Sequence, residues 1–286
     1  MVKICIVNDW VKPLSGEKEN LWTWLLESLP AEPIHFAELK IPLEDAIEQA
    51  RPDIIINNDL WGLTFPNYFT ITIAQNPYKD MQKLLGGNFS EQIEKQKRVL
   101  KNSQIRVAVS NYMAYSYKEL GNFEIIPVGT NSELFHPMNK EEMRKKYGIP
   151  SNRMVFISVL SHHPVKGWGE IKKEIEQRNV FWILIFKDYP DSYAENTKVF
   201  CRINQEQVAE LMNCADFFVS KSVCESGGLA SVEAMFCDTP VITPPVGLFW
   251  DFHPPMKHPR QEVLKYGLDK ATCIKRWQEL IRNIKL

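Results

Sequence analysis

Short apolar runs alternate with amphipathic segments along most of the chain. Phe181–Phe186 is continuously apolar, and Val155–Leu160 is interrupted only by Ser158. Such runs are typical of strands in a parallel sheet that is covered on both faces. Other segments, such as Gln205–Asn213, carry their apolar residues at helical spacing. This alternation predicts an α/β fold with doubly wound parallel sheets.

The predicted strands are rich in β-branched and aromatic residues. They are Ile4–Val7, Asp53–Ile56, Thr70–Ala74, Ile105–Val109, Ile125–Val128, Val155–Leu160, Phe181–Phe186, Lys198–Cys201, Phe217–Val219 and Val241–Thr243. The predicted helices are Glu17–Leu29, Glu91–Lys101, Tyr112–Leu120, Lys140–Tyr147, Gln205–Asn213 and Leu229–Phe236.

A polar segment with two prolines, Asn131–Pro150, follows the first set of strands and predicts a domain boundary. We therefore expect two Rossmann-like domains, residues 1–135 and 136–268. The last segment, Asp269–Leu286, is predicted to be a single helix, because Trp277 and other apolar residues share one of its faces.

Composition narrows the class of protein. Apolar residues make up 44% of the 286 residues and charged residues 24%, as in an ordinary globular protein. Lys and Arg total 34 against 35 for Asp and Glu. The overall charge therefore does not point to nucleic acid, although a local basic patch stays open.

Targeting signals and metal motifs are not apparent. The longest uncharged apolar run, Val180–Phe186, is too short to span a bilayer, and the N-terminus lacks the pattern of a secretory signal. The six cysteines form no C-x-x-C and have no metal-like spacing to a histidine. We expect a cytoplasmic protein with reduced cysteines and no metal site.

Two glutamates, Glu225 and Glu233, flank a glycine-containing turn between a predicted strand and a predicted helix. Another strand follows, so this stretch forms a βαβ unit whose turn opens a helix N-terminus. Free backbone amides there favour an anionic group, and ionised carboxylates accept hydrogen bonds from paired hydroxyls. The pattern predicts a site for a ligand with phosphate and sugar parts.

This stretch resembles the Glu-x7-Glu motif of family 4 glycosyltransferases, a large retaining family with the GT-B fold. Glu225 and Glu233 match its two glutamates, and Gly228-Leu229 matches its Gly-Leu. The chain departs from the family pattern at Gly227, where Phe is usual, and at Asp238, where Gly is usual.

Three further segments extend the resemblance. Ile125–Asn131, preceded by Ser110, is similar to the family's interdomain signature. Lys166-Gly167 matches the Lys of its Gly-Arg-Leu…Lys-Gly motif, and Gly16 keeps one glycine of the usual pair after the first strand. The similarity runs from the N-terminus to about Gly247.

The resemblance implies two Rossmann-like domains that face a central cleft, with the acceptor on the N-terminal side and a nucleotide-sugar donor in the C-terminal domain. It favours a UDP-sugar as donor and implies an enzyme that needs no metal or other cofactor. It also implies that the last helix crosses back to the N-terminal domain. Glu225 and Lys166 would be catalytic. The implied donor-binding residues are Gly16, His162, Lys166, Lys221, Ser226, Gly227, Gly228, Leu229 and Glu233. The acceptor-side residues after two strands would be Asn58, Gln75 and Asn76.

Two departures leave alternatives open. The motif's Arg is replaced by Leu160-Ser161, so the second cation would be His162, His163, Lys187 or Lys221. The histidine that many members carry near the transferred sugar is replaced by Gln75 or Asn76.

The sequence therefore predicts a retaining hexosyl- or pentosyltransferase with an open acceptor: a glycan, a lipid-linked sugar, a protein or a modified DNA base. The alternative is a nucleotide-sugar-binding protein with little transferase activity. A phosphorylase or an epimerase is a lesser option. The oligomeric state is open.

Overall fold

A computed structural model describes residues 2–8, 17–35, 38–59, 62–188, 195–251 and 257–286. The chain divides into two compact units. The first contains Met1–Gly129 and Ala271–Leu286, and the second contains Thr130–Lys270.

The first unit is built on a parallel sheet. Its strands are β1 (Ile4–Asn8), β2 (Ala31–His35), β3 (Ile54–Asn58), β4 (Phe69–Ala74), β5 (Ile105–Ala108) and β6 (Glu124–Ile125). The strand order is β2-β1-β3-β4-β5-β6. The helices are α1 (Glu17–Ser28), α2 (Leu43–Ala50), α3 (Tyr78–Leu85), α4 (Ser90–Asn102) and α5 (Asn111–Ser116).

The second unit is built on another parallel sheet, with the order β11-β10-β7-β8-β9. Its strands are β7 (Val155–Leu160), β8 (Phe181–Phe186), β9 (Thr197–Cys201), β10 (Phe217–Val219) and β11 (Val241–Ile242). The helices are α6 (Lys140–Tyr147), α7 (Trp168–Gln177), α8 (Gln205–Cys214), α9 (Leu229–Phe236) and α10 (Pro259–Lys265). The last helix, α11 (Lys270–Arg282), belongs to the first unit from Ala271 onward.

Apolar residues on both faces of the second sheet form its core. Along β7, Ile157 belongs to one buried cluster and Phe156 to another, because successive strand residues point to opposite faces. Trp182 packs edge-to-face against Phe156 in the second cluster. Both faces are therefore covered, as the continuous apolar strands predict, and two Rossmann-like α/β domains are confirmed.

Several elements differ from the sequence prediction. β2, α2, α3, α7 and α10 were not expected, and Tyr112–Leu120 divides into α5 and a 3-10 turn at Lys118–Leu120. β2 lies at the sheet edge, which tolerates Pro33. No residue of α3 is buried. β2 adds an edge strand next to β1.

Candidate functional site

The strand order of the second sheet reverses between β7 and β10. The chain proceeds from β7 to β8 and β9 on one side, and from β10 to β11 on the other. In open parallel sheets, ligands bind at such a switch point, outside the carboxyl ends of the strands. The loop 161–167 after β7 and the loop 220–228 after β10 leave the sheet there.

Backbone contacts tie these two loops together. The Val223 amide donates to the Val165 carbonyl at 2.9 Å. Gly167 has φ +65°, and a Cβ atom there would lie 2.2 Å from the carbonyl oxygen of Lys221. No larger residue fits without moving one of the loops. The loops therefore form one unit at the switch point.

Lys166 and Glu225 form an ion pair across the two loops, with Nζ 2.6 Å from Oε1. The lysine side chain is 32% exposed and the glutamate side chain 13%. Partial burial strengthens the attraction relative to water. A partly exposed lysine next to a carboxylate thus stands at the edge where a ligand is expected.

The start of α9 lies beside this pair. Gly228 takes the N-cap position with φ +75°, and within the described residues no side chain caps the helix. The Gly227 carbonyl accepts a hydrogen bond from the Leu248 amide at 3.0 Å, which fixes the backbone just before the helix. A Cβ atom on Gly247 would meet that carbonyl at 2.9 Å. The arrangement presents helix N-terminal amides in a fixed turn, which favours an anion.

Glu233 lies on the partly open side of α9. Ala230 and Glu233 are half-buried and three residues apart, whereas Leu229, Val232 and the residues after Glu233 are buried. Ser226, just before the helix, is also half-buried. Glu225, Ser226 and Glu233 therefore keep partial access to solvent while Leu229 anchors the helix in the core.

The candidates for the second cation have other contacts. Lys221 pairs with Glu174 of α7 rather than with Glu225. The His162 ring lies 5.8 Å from the Phe186 ring, and Nδ1 of His163 accepts from the Val165 amide at 3.2 Å. Lys187 is exposed just after β8.

The acceptor-side candidates meet at the carboxyl ends of β3 and β4. Asn58 pairs with Ile73 in the sheet, and Gln75 and Asn76 follow one and two residues after β4. Between them lies Asp59, which accepts from the Gln75 amide at 3.0 Å and from Asn76 Nδ2 at 2.9 Å. Gly16 lies outside the described residues.

Sequence reasoning missed one partner of Asp59 and the residue that bonds to that partner. Gln96 of α4 donates to the Asp59 carboxylate, and Tyr117 donates to the Gln96 side-chain oxygen. Burial raises the pKa of Asp59 to about 6, although these hydrogen bonds oppose the shift. A glutamine in the middle of an otherwise charged amphipathic helix was the available signal, because Gln96 follows the buried Ile93 by three residues.

The described residues contain no group of three His, Cys, Asp or Glu side chains that could hold a metal ion. Within the same ranges, no helix has the length and apolar character that a membrane span requires.

The chain is similar to several known proteins. A sequence model described as "Glycosyl transferases group 1" matches residues 191–251, which include both glutamates. The structure is similar to sucrose-phosphate synthase from Thermosynechococcus elongatus, with a TM-score of 0.73 and 17% identity over 98% of this chain and 95% of that one. It is also similar to Anabaena HepE in complex with UDP and glucose, with a TM-score of 0.70 and 14% identity over 99% and 100%.

Curated relatives match at higher identity but over shorter stretches. TuaC of Bacillus subtilis (strain 168), named for teichuronic acid biosynthesis, is 28% identical over 159 residues, or 53% of this chain and 41% of its own length. The D-inositol 3-phosphate glycosyltransferase of Segniliparus rotundus is 22% identical over 62% of this chain and 43% of its own. The chain thus spans less than half the length of the curated relatives it matches.

The resemblance seen in the sequence is confirmed. The two parallel-sheet domains and their structural neighbours show a GT-B fold. The segment that carries both glutamates is similar to the group 1 glycosyl transferases.

Proposed function

We propose that this protein is a retaining glycosyltransferase of family 4 that moves a hexosyl or pentosyl group from a UDP-sugar to an acceptor. The observation that carries the proposal is the Lys166–Glu225 pair at the switch point, beside the start of α9. It combines a cation for a diphosphate, amides for an anion and carboxylates for hydroxyls. The complexes of HepE with UDP and with UDP-glucose support a donor of this type.

In the proposed mechanism the second unit holds the donor. Glu233 accepts hydrogen bonds from the ribose hydroxyls, and the amides of Gly227–Leu229 hold the diphosphate. A diphosphate carries more charge than a carboxylate, so it competes for the Lys166 ammonium. Glu225, released from that pair, then accepts from hydroxyls of the transferred sugar.

Catalysis in this scheme comes from positioning and charge stabilisation. Lys166 and the start of α9 offset the negative charge that grows on the leaving diphosphate. Holding the acceptor against the anomeric carbon supplies the remaining advantage. The proposal includes no metal and no cofactor besides the donor. The first unit is assigned the acceptor, which is a glycan, a lipid-linked sugar, a protein or a modified DNA base. Six free cysteines suit a reducing compartment, so the proposal keeps a cytoplasmic location.

The test separates binding from turnover. UDP affinity is measured by calorimetry, and turnover of UDP-glucose and other UDP-sugars by mass spectrometry. Lys166→Met should lower the affinity for UDP about tenfold and turnover about 100-fold or more, because a phosphate-stabilising cation is lost. Glu233→Gln should lower the affinity for UDP, whereas Glu225→Gln should lower turnover with little change in UDP affinity.

The chain provides a matched control. Lys173 and Glu170 form a similar pair at 2.7 Å on α7, but their side chains are 65% and 62% exposed. Lys173→Met and Glu170→Gln should leave both UDP affinity and turnover unchanged. Full activity in Lys166→Met, Glu225→Gln and Glu233→Gln together would reject these assignments.

One observation favours the second candidate, a nucleotide-sugar-binding protein with little turnover. Ser161 stands where the motif has Arg, and both Lys166 and Lys221 already pair with carboxylates. Less positive charge is then available for a leaving diphosphate. UDP binding without turnover over a broad panel of acceptors would favour this candidate.

A further inference from the structure

Asp59 is a buried carboxylate that no cation among the described residues neutralises. Its residue is 0% exposed, and no Lys or Arg of the described residues forms an ion pair with it. It accepts from the Gln75 amide, from Asn76 Nδ2 and from Gln96 Nε2. A buried charge that is held only by neutral donors is costly, so its hydrogen bonds must be well placed.

An ionised carboxylate only accepts hydrogen bonds, and this determines how its neighbours are oriented. Asn76 must turn its Nδ2 toward Asp59, and its Oδ1 must point the other way. Gln96 is equally constrained, because Nε2 also donates to the Asn76 carbonyl at 2.8 Å while Oε1 accepts from Tyr117. Neither amide can reverse without losing hydrogen bonds.

The outward atom of Asn76 is therefore a hydrogen-bond acceptor. Among the described residues, Asn76 Oδ1 has no hydrogen-bond partner, and Asn76 is half-buried. It follows the carboxyl end of β4, the edge at which parallel sheets bind ligands.

We propose that Asp59 is a positioning residue that fixes the Asn76 amide, so that Asn76 Oδ1 accepts a hydrogen bond from a carbohydrate hydroxyl. The inference rests on the proposed function, since it takes a sugar as the ligand. Asp59 does not touch the sugar in this scheme. Its charge decides whether the side chain at position 76 presents an oxygen or a nitrogen.

The ionisation of the cluster agrees with this role. Burial raises the pKa of Asp59 to about 6, so the carboxylate is ionised at pH 7.5 and becomes protonated in mild acid. Burial and the charge of Asp59 raise the pKa of Tyr78 to about 12 and also raise that of Tyr117. The charged groups nearest Tyr117 are Lys79, Asp80 and Glu119. Both tyrosines therefore stay neutral in this range, while Asp59 changes charge near pH 6.

Asp59→Asn tests the orientation with little change of shape. The new amide can still accept from Gln75 and Gln96 with its oxygen, but its nitrogen then faces Asn76. The network is satisfied only if Asn76 turns over and presents Nδ2 outward. We expect a folded protein with UDP affinity within twofold of wild type and turnover of UDP-glucose reduced at least tenfold.

A double-variant cycle shows whether Asp59 acts through Asn76. Asn76→Ala should also reduce turnover at least tenfold, and Asp59→Asn with Asn76→Ala should reduce it no further than Asn76→Ala alone. Losses that multiply across the two sites would overturn the proposal.

A second readout does not depend on activity. In ¹⁵N NMR spectra at pH 7.5, the Asn76 side-chain amide protons should exchange slowly, and their shifts should titrate with a midpoint near pH 6. Asp59→Asn should speed their exchange at least tenfold, while the Asn57 amide, which donates to the Leu63 carbonyl at 3.2 Å, should stay unchanged.

The two readouts separate this proposal from the proposed function. Fast exchange of the Asn76 amide in the wild type, or no response to Asp59→Asn, would overturn the positioning role even if the enzyme is active. Absent turnover of any donor would reject the proposed function, and the amide protons alone would then decide whether Asp59 orients Asn76.

Discussion

The two units each hold a carboxylate at the carboxyl end of a parallel strand, but the carboxylates are neutralised in different ways. Glu225 is partly open and pairs with the ammonium of Lys166 at 2.6 Å. Asp59 is fully buried and is surrounded by the neutral amides of Gln75, Asn76 and Gln96. A carboxylate thus has a charged lysine partner in one unit and neutral amide partners in the other.

The difference indicates different roles. A lysine has a long flexible side chain, so an incoming diphosphate can draw it away from Glu225. Amides that are fixed by the backbone and by further hydrogen bonds cannot leave Asp59 in the same way. We therefore assign ligand exchange to the Glu225 region and geometric control to the Asp59 region.

The largest effect on stability is expected at Gly167, where the backbones of the two loops of the Glu225 region touch. Gly167→Ala puts a Cβ atom 2.2 Å from the Lys221 carbonyl oxygen at a φ of +65°. The left-handed conformation costs about 1–2 kcal/mol and overpacking about 1–3 more. The free energy of unfolding should fall by about 2–5 kcal/mol in urea titrations, and UDP affinity should fall with it.

Gly86 provides the matched control in the other unit. It ends α3 with φ +68°, but a Cβ atom there would meet nothing within 4 Å. Gly86→Ala should lower the free energy of unfolding only by the cost of the left-handed backbone conformation, about 1–2 kcal/mol. Equal losses for the two variants would show that the two loops are not held by the contact at Gly167.

The second prediction concerns the cost of the charge on Asp59. Its pKa is about 6 in the folded protein against an ordinary value of 3.8. Between these two pH values the folded state holds a proton that the unfolded state has lost, so the free energy of unfolding falls as pH rises. At about 1.4 kcal/mol per pKa unit, the loss is about 3 kcal/mol and is complete above pH 6.

Urea titrations from pH 4 to pH 7.5 check this sign against Asp59→Asn. Titration of other groups is common to both proteins, so the stability of the wild type relative to the variant should drop by up to about 3 kcal/mol over this range. A flat difference would show that Asp59 is not buried as an ion. The expected slope means that the chain holds a destabilising charge at a place where we propose a ligand contact, as functional sites commonly do.

The Glu225 region could be predicted from the sequence because its signals are local. Glu225, Gly228 and Glu233 lie within one strand-turn-helix segment, and β7, β8, β10 and α9 have the predicted bounds. The pairing of Lys166 with Glu225 joins residues 59 positions apart. The sequence did not predict this pair, because it depends on how the loops of two neighbouring strands meet at the switch point.

The Asp59 cluster could not be predicted in the same way. Gln96 comes from α4 and Tyr117 directly follows α5. Gln96 reaches Asp59, and Tyr117 reaches Gln96, only through tertiary packing. No spacing in the sequence links position 59 to positions 96 and 117. The same limit applies to Lys221, whose sequence neighbour is Glu225 but whose partner is Glu174 of α7.

The smallest effect is expected for Lys221, which distinguishes a structural cation from a ligand-binding one. Lys221 and Glu174 are 30% and 19% exposed, and a partly exposed pair of this kind contributes about 1 kcal/mol or less. Lys221→Ala should therefore change UDP affinity less than about twofold in calorimetry, against about tenfold for Lys166→Met. Glu174→Gln removes the partner and keeps the cation, so it should have an equally small effect. If Lys221→Ala instead weakened UDP as much as Lys166→Met, the ammonium would leave Glu174 for the diphosphate. Both cations of the site would then be exchangeable, and the missing Arg of the family motif would have its replacement.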